Sequence, residues 1–332
     1  MSTDGGTKAI VAALSANLGI GVTKFAAWAL TGASSMLAEA IHSMADSGNQ
    51  VLLLVGGRQA RKEATPEHPF GYGRSRYYYA FLVAVVLFTL GGLFALYEAW
   101  HKFQHPEPIV SWHWVPVVVL VTAIGLEILS FRTAIRESNK VRGNAGWLAF
   151  IRKSRSPELP VILLEDFGAL VGLVFALFGV SMTLATGSGL WDAAGTAMIG
   201  VLLVVIAFVL ARETKSMLLG ESATPEHVAA IRSAFLDAGL GDVIHLRTMH
   251  LGPDDVLVAA KVGVDSGATM EDIAAQVDDA ERRIRTAVPA ASIIFIEPDL
   301  RRAARVRAGE IDPQHPAAEP IGTAPTNEEP HP

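Results

Sequence analysis

Long apolar runs fill the first two thirds of this chain and constrain its fold more than any other feature. A helix that crosses the hydrocarbon core of a membrane needs about 20 mostly apolar residues. Six segments reach that length, and they are residues 8–30, 34–57, 78–100, 113–135, 159–184 and 190–211. The first run follows only Lys8 and is too long for a signal-peptide core, so it is interpreted as a retained span. Residues 1–212 are therefore predicted to form a domain of six transmembrane helices.

The basic residues indicate how these spans are oriented. They concentrate in two loops, between spans two and three and between spans four and five, as Arg58, Arg61, Lys62, Arg74, Arg76, Arg136, Lys140, Arg142, Arg152, Lys153 and Arg155. The loops on the other side contain only Lys102. Because basic loops stay in the cytoplasm, both termini are predicted to be cytoplasmic. We expect an integral, multi-pass protein of a bacterial inner membrane, in contact with the lipid bilayer.

A different pattern begins after Arg212. A capped helical segment, two strand-like segments, a second capped helix and a third strand-like segment follow one another within residues 213–300. This order, αββαβ, predicts a small α+β domain in two layers. Residues 301–332 are rich in proline and have almost nothing to bury, which predicts a disordered tail.

Composition restricts the chemistry that is open to the chain. The net charge of -6 comes without one long basic stripe, so no nucleic-acid partner is expected. There is no cysteine. Any metal site must therefore use His, Asp, Glu or backbone oxygen.

Three ionisable side chains lie at similar depth within the predicted spans. His42 and Asp46 are four residues apart and share one face of span two, while Asp166 lies about seven residues into span five. Each such residue costs roughly 2.5–3.5 kcal/mol on insertion scales, and these residues usually face the bundle interior or a water-filled path. One imidazole and two carboxylates predict a site for a divalent metal. All three ligands bind best when deprotonated, so protons compete with the metal there.

Further polar residues surround this predicted site. Glu127 on span four is interpreted as a second-shell residue, a proton acceptor or a structural partner. Glu165 points about 100° away from Asp166 and faces another helix or the cytoplasmic path. Span one contributes Asn17 and Lys24, and Glu39 on span two is interpreted as structural or as part of an exit path.

Several motifs together resemble the cation diffusion facilitator family. They are "HSMADSGNQ", "PEHPFGYGRSRYYYAF", "GLEILSFRTAIRE" and "VILLEDFGALVG", and they are similar to the branch of the family that includes zinc transporter 9. The resemblance implies a homodimeric metal/proton antiporter with six spans, cytoplasmic termini and a ferredoxin-like cytoplasmic domain. It also implies that His42, Asp46 and Asp166 are metal ligands.

The chain departs from the family pattern at Ile162, where zinc exporters usually have a second histidine on span five. Isoleucine cannot bind a metal, so water, Asn49 or Glu127 is expected to complete the ligand set. The resemblance also suggests an accessory metal site in the loop between spans two and three, with Glu67 and His68 as its candidate ligands.

These observations favour a divalent-metal efflux transporter without enzyme activity or prosthetic group, which exchanges Zn²⁺ for protons. An exporter of iron(II), manganese or cobalt is an alternative because of Ile162. A membrane metal sensor or scaffold that binds without transport is an alternative because the ligand set is reduced. An intramembrane hydrolase is less favoured because the chain contains no HExxH pair.

Overall fold

The computed structural model describes residues 3–106, 112 and 114–300, with side chains from Asn17 onward except that of Lys153. It divides into two compact units after Leu219. The predicted domain boundary at residue 212 lies inside a helix that continues to Leu219. The predicted disordered tail lies outside the described residues.

The first unit is helical. Its elements are α1 (Thr3–Thr31), α2 (Ser34–Ala60), α3 (Ser75–Val86), a π-helical segment (Leu87–Leu93), α4 (Phe94–Gln104), α5 (Trp114–Arg142), α6 (Trp147–Lys153), α7 (Glu158–Thr186) and α8 (Leu190–Leu219). Each predicted span corresponds to one of these helices, or to the continuous run from α3 to α4. Most of the helices extend several residues beyond the predicted apolar segment, because polar turns can continue a helix outside the apolar run.

Four helices among the described residues are long and apolar enough to cross a membrane. They are Ser75–Gln104, Trp114–Arg142, Glu158–Thr186 and Leu190–Leu219. Helix α2 has 27 residues but does not meet the same criterion. In α2 the reason is visible in the sequence, since Glu39, His42 and Asp46 interrupt its apolar run.

Two helical features were not predicted. The π-helical segment lies in the middle of the third span, where Gly91 and Gly92 are buried. A Cβ atom at Gly92 would lie 2.7 Å from Val204 of α8, so glycine permits this close contact. The short helix α6 lies between α5 and α7, and its Leu148 is 74% exposed.

Helices α7 and α8 pack closely through a pair of glycines. A Cβ atom at Gly195 would lie 2.8 Å from the carbonyl oxygen of Phe175, and one at Gly179 would lie 2.9 Å from that of Trp191. Small residues at such points let helix backbones approach in a membrane. The apolar core around them includes Leu173, Leu203 and other side chains of α1, α2, α3, α5, α7 and α8.

The start of α2 is held by a carboxylate of α8. The backbone amides of Ser34 and Ser35 donate to Asp192, over 2.7 and 3.3 Å, and both serine hydroxyls donate to the same carboxylate. Asp192 is fully buried. Its charge therefore satisfies amides that have no partner inside α2 and lies favourably at a helix N-terminus.

The second unit contains α9 (Pro225–Asp237), β1 (Val243–Gly252), β2 (Asp255–Val264), α10 (Met270–Ala287) and β3 (Ile293–Leu300). The sheet order is β1-β2-β3, with β1 antiparallel and β3 parallel to β2. Its core lies between the sheet and the two helices and includes Ile231, Phe235 and Ile284. The predicted element order of this small mixed-sheet domain is confirmed.

Candidate functional site

A cavity of about 430 Å³ lies between α1, α2, α5 and α7. Its described lining is strongly acidic and contains Asp46, Glu127, Glu137, Glu158, Glu165 and Asp166, with no lysine or arginine among them. Three helices that are distant in sequence supply these carboxylates. The cavity is therefore suited to attract a cation.

On α2, the spacing of four residues brings His42 and Asp46 together. Nε2 of His42 lies 3.6 Å from Oδ2 of Asp46. The His42 side chain is 1% exposed, and neither ring nitrogen has a hydrogen-bond partner among the described residues. Asp46 lines the cavity, whereas His42 is not among its described lining residues and has Nδ1 close to Gly91 of the π-helical segment. The two side chains are thus adjacent, but only the carboxylate faces the cavity.

On α7, Asp166 lines the same cavity as Asp46. The hydroxyl of Ser130 on α5 donates to Oδ2 of Asp166 over 3.0 Å. This bond fixes one carboxylate oxygen and leaves the other for a further interaction. Ile162, one turn before Asp166, also lines the cavity, so its apolar side chain stands beside the acidic groups.

Glu165 and Asn49 form a polar contact between α7 and α2. Nδ2 of Asn49 donates to Oε1 of Glu165 over 2.6 Å, and the two side chains are 0% and 5% exposed. Glu165 lines the cavity while Asn49 is not among its described lining residues. The amide nitrogen of Asn49 thus orients Glu165, and the prediction that Glu165 faces another helix agrees with this contact.

Glu127 lies one turn before Ser130 on α5 and also faces the cavity. Among the described residues, no three His, Asp or Glu side chains lie close enough together to hold a metal ion. The structure brings Asp46, Asp166, Glu127 and Glu165 to one cavity but does not gather them around a point. The ligand set of His42, Asp46 and Asp166 stays a prediction.

The accessory site in the loop between spans two and three stays a prediction. Glu67 and His68 are exposed, and the His68 ring contacts Tyr72 edge to face at 4.5 Å. In the second unit, the Nδ1 atom of His250 lies 3.1 Å from the carbonyl oxygen of Gly252, and Glu297 accepts a bond from Lys261. The pKa of Lys261 is raised because its ammonium group donates to Glu297 and Asp299.

Sequence reasoning missed two features of this region. It assigned no role to Ser130, and it did not pair Lys24 with Glu39, whose Nζ and Oε2 atoms are 2.9 Å apart. A signal existed for the first, since Ser130 follows Glu127 by three residues and must share its helix face. No local pattern could pair residues of two different helices.

Comparison with known proteins decides the family. The profile of the cation efflux transmembrane domain matches residues 10–219, which is more than half of the chain. The chain belongs to the cation efflux family. The predicted resemblance to cation diffusion facilitators is thereby confirmed.

Named relatives of this cation efflux protein support the same assignment. The mitochondrial proton-coupled zinc antiporter SLC30A9 of Xenopus laevis is 31% identical over 245 residues, covering 73% of this chain and 44% of the relative. Metal tolerance protein C4 of Arabidopsis thaliana is 24% identical, with 77% of this chain and 56% of the relative covered. Magnetosome protein MamM of Magnetospirillum gryphiswaldense is 22% identical, with 72% and 71% covered. The chain spans less than half the length of the first of these relatives.

Proposed function

We propose that this protein exports a divalent cation, zinc in the first instance, in exchange for protons. The observation that carries the proposal is the single acidic cavity to which α2 contributes Asp46 and α7 contributes Asp166. Membership of the cation efflux family and the similarity to a proton-coupled zinc antiporter support it.

The proposed transport site consists of His42, Asp46 and Asp166. A small rotation of the His42 side chain, whose ring nitrogens bond to none of the described residues, would direct it toward a cation held by Asp46. Glu127 and Glu165 would add negative charge nearby and accept protons. Because protonation of these ligands weakens metal binding, protons that reach the site would release the metal.

The position of the cavity supports entry of the metal from the cytoplasm. Glu137 lies near the end of α5 and Glu158 at the start of α7, and both line the cavity. Glu137 lies within the basic segment of residues 136–155 and Glu158 follows it closely, and the positive-inside rule assigns this segment to the cytoplasm. Transport would be complete when the cavity closes on the cytoplasmic side and opens on the other side of the membrane.

The remaining features of the proposal rest on the family and on the sequence patterns. We propose that α1 and α2 also cross the membrane, which gives six spans with cytoplasmic termini in a bacterial inner membrane. The second unit would be a ferredoxin-like cytoplasmic domain that supports a homodimer.

The test is metal flux in proteoliposomes under an imposed pH gradient. Asp46→Asn and Asp166→Asn are expected to abolish pH-driven zinc flux, because each removes a carboxylate from the site. Thr133→Val, which changes another lining residue of the same cavity, serves as the matched control. Full flux in Asp46→Asn would refute the mechanism, and stoichiometric zinc binding without any flux would favour a sensor or scaffold.

Ile162 favours a second candidate, an exporter of iron(II), manganese or cobalt. Its side chain lines the cavity one turn from Asp166, so a histidine there would face the same cavity. Ile162→His is expected to shift the preference among competing metals toward zinc, since imidazole suits zinc well. Leu159→His, one turn nearer the start of α7, is the control. Unchanged preference in Ile162→His would exclude this position as a selector.

A further inference from the structure

A buried ion pair connects α1 and α2 and is not used by the proposed site. Nζ of Lys24 lies 2.9 Å from Oε2 of Glu39 and donates to the Ser43 hydroxyl over 2.8 Å. Lys24 and Glu39 are only 3% and 0% exposed. Two charged groups buried this completely are held in place by each other, because either one alone would be an uncompensated buried charge.

The ion pair lies where the described lining of the cavity stops. On α1 the lining consists of Asn17 and Ile20, and Lys24 is the next turn toward the connection between α1 and α2. On α2 the lining begins at Ser43, and Glu39 is one turn before it. Ser43 therefore touches both the cavity and the ammonium group of Lys24.

On α7 the cavity lining ends at the same depth as on α1 and α2. On α7 the last described lining residue is Ala169, and Gly172 follows within one turn. A Cβ atom at Gly172 would lie only 2.7 Å from Oε1 of Glu39. Glycine thus allows the Glu39 carboxylate to fit against the α7 backbone, so that it lies between α1 and α7.

We propose that the Lys24–Glu39 pair is the outer closure of the transport cavity. The proposal rests on the proposed transport function and on the orientation in which the α1–α2 connection faces outward. While the ion pair is intact, it joins α1 to α2 and holds the Glu39 carboxylate against α7. A cation in the cavity then has no outward path between these three helices. Outward opening requires Lys24 and Glu39 to separate, with water replacing each partner.

The absence of cysteine from this chain makes the closure measurable by modification of a single introduced thiol. Ile20→Cys places a single thiol in the cavity just inside the pair. Its rate of modification by a membrane-impermeant methanethiosulfonate reagent is measured from the external side of oriented membrane vesicles. With the native pair this rate is expected to be low, because the thiol is reached from the cytoplasmic side.

The decisive variant combines Lys24→Gln with Glu39→Gln on the reporter background. Replacing both partners leaves a neutral hydrogen-bonding pair rather than one unpaired buried charge, so the fold is best preserved. The external modification rate is expected to rise about tenfold, since an outward-open state that is rare with the ion pair becomes more populated. Ser43→Ala removes one of the two contacts of Lys24 and is expected to raise the rate about threefold.

Two control variants distinguish loss of the closure from a general loosening of the helix packing. Lys24→Arg keeps the charge pair and is expected to leave the external rate low. Lys102→Gln removes another largely buried lysine, which donates to the carbonyl oxygen of Gly32, and is also expected to leave it low. An unchanged external rate in the neutral pair overturns the proposal, and so does an equal rise in Lys102→Gln. If the variant that combines Lys24→Gln with Glu39→Gln does not fold, the external modification rate of Ser43→Ala tests the proposal in its place.

Failure of this proposal is distinguishable from failure of the proposed function. The modification assay needs no transported metal, so it reads the closure even if no flux of zinc is found. Conversely, pH-driven zinc flux together with an unchanged external rate in both the neutral pair and Ser43→Ala would leave the transport function standing and remove the closure.

Discussion

Ser130 of α5 donates a hydrogen bond to Asp166 of α7, with Oγ and Oδ2 3.0 Å apart. The bond crosses between two helices at the edge of the acidic cavity. It sets the direction of a carboxylate that the proposed mechanism uses to bind metal. Partners of metal ligands often matter nearly as much as the ligands themselves.

Removal of the Ser130 hydroxyl should weaken metal binding without removing a ligand. Ser130→Ala is expected to lower zinc affinity by about tenfold, the lower end of the range seen for such partners. The maximal flux should change less, because Asp46 and Asp166 remain. The measurement is the dependence of flux on zinc concentration. Thr133→Val is the matched control, because Thr133 lines the same cavity and its hydroxyl donates to the carbonyl oxygen of Leu129 on its own helix. Equal loss in both variants would contradict the role of Ser130.

Loss of the contact between Asn49 and Glu165 should destabilise the helical unit. Asn49→Ala leaves the buried Glu165 carboxyl without its donor, which is expected to cost about 1–3 kcal/mol. The thermal unfolding temperature of purified protein in detergent should fall accordingly. Asn49→Asp combined with Glu165→Gln reverses donor and acceptor, so it should recover part of the loss. Gln50→Ala is the control on the same helix, since the side-chain oxygen of Gln50 accepts no hydrogen bond from the described residues. Equal effects of Asn49→Ala and Gln50→Ala would argue against a specific contact.

The close approach of α7 and α8 should not tolerate a side chain. Gly195→Ala places a Cβ atom 2.8 Å from the carbonyl oxygen of Phe175, so the two helices must separate. We expect a loss of about 1–3 kcal/mol in unfolding free energy, as for other overpacked interiors. Gly125→Ala on α5 meets nothing within 4 Å and should leave stability unchanged or slightly higher. Unfolding by denaturant in detergent measures both variants, and similar results for the two would contradict this account of the packing.

The start of α10 should depend on pH through Asp272. The hydroxyl and backbone amide of Thr269 donate to the Asp272 carboxylate, and these bonds hold its pKa below the ordinary value. A lowered folded pKa means that the carboxylate stabilises the helix above the ordinary value of about 3.9. This contribution is lost as the pH falls from there through the lowered pKa.

Amide hydrogen exchange in the first turn of α10 measures this effect. Thr269→Val removes the hydroxyl of the capping box, and exchange at neutral pH should become about fivefold faster, as for a typical lost N-cap. Thr286→Val is the control, because the Thr286 hydroxyl bonds only the carbonyl oxygen of Arg282 on the same helix. Exchange that is equally fast in both variants would contradict the capping role.

The sequence alone determined the long helices of the first unit, the order of elements in the second unit and the pairing of His42 with Asp46 on one helix face. These features depend on local periodicity, which places His42 and Asp46 on one face of α2 because they are four residues apart. The depth of a residue within its span could also be predicted, since a helix rises 1.5 Å per residue. Asp46 and Asp166 were expected at similar depth, and they do line one cavity.

Only the tertiary structure decided which side chains of different helices meet. Asn49 contacts Glu165 across 116 positions of sequence, and Lys24 pairs with Glu39 rather than with an acid of the cavity. The π-helical segment in the third span could not be predicted from local periodicity either. The physical reason is that periodicity fixes positions along and around one helix, whereas the rotation of each helix toward its neighbours depends on how the whole bundle packs.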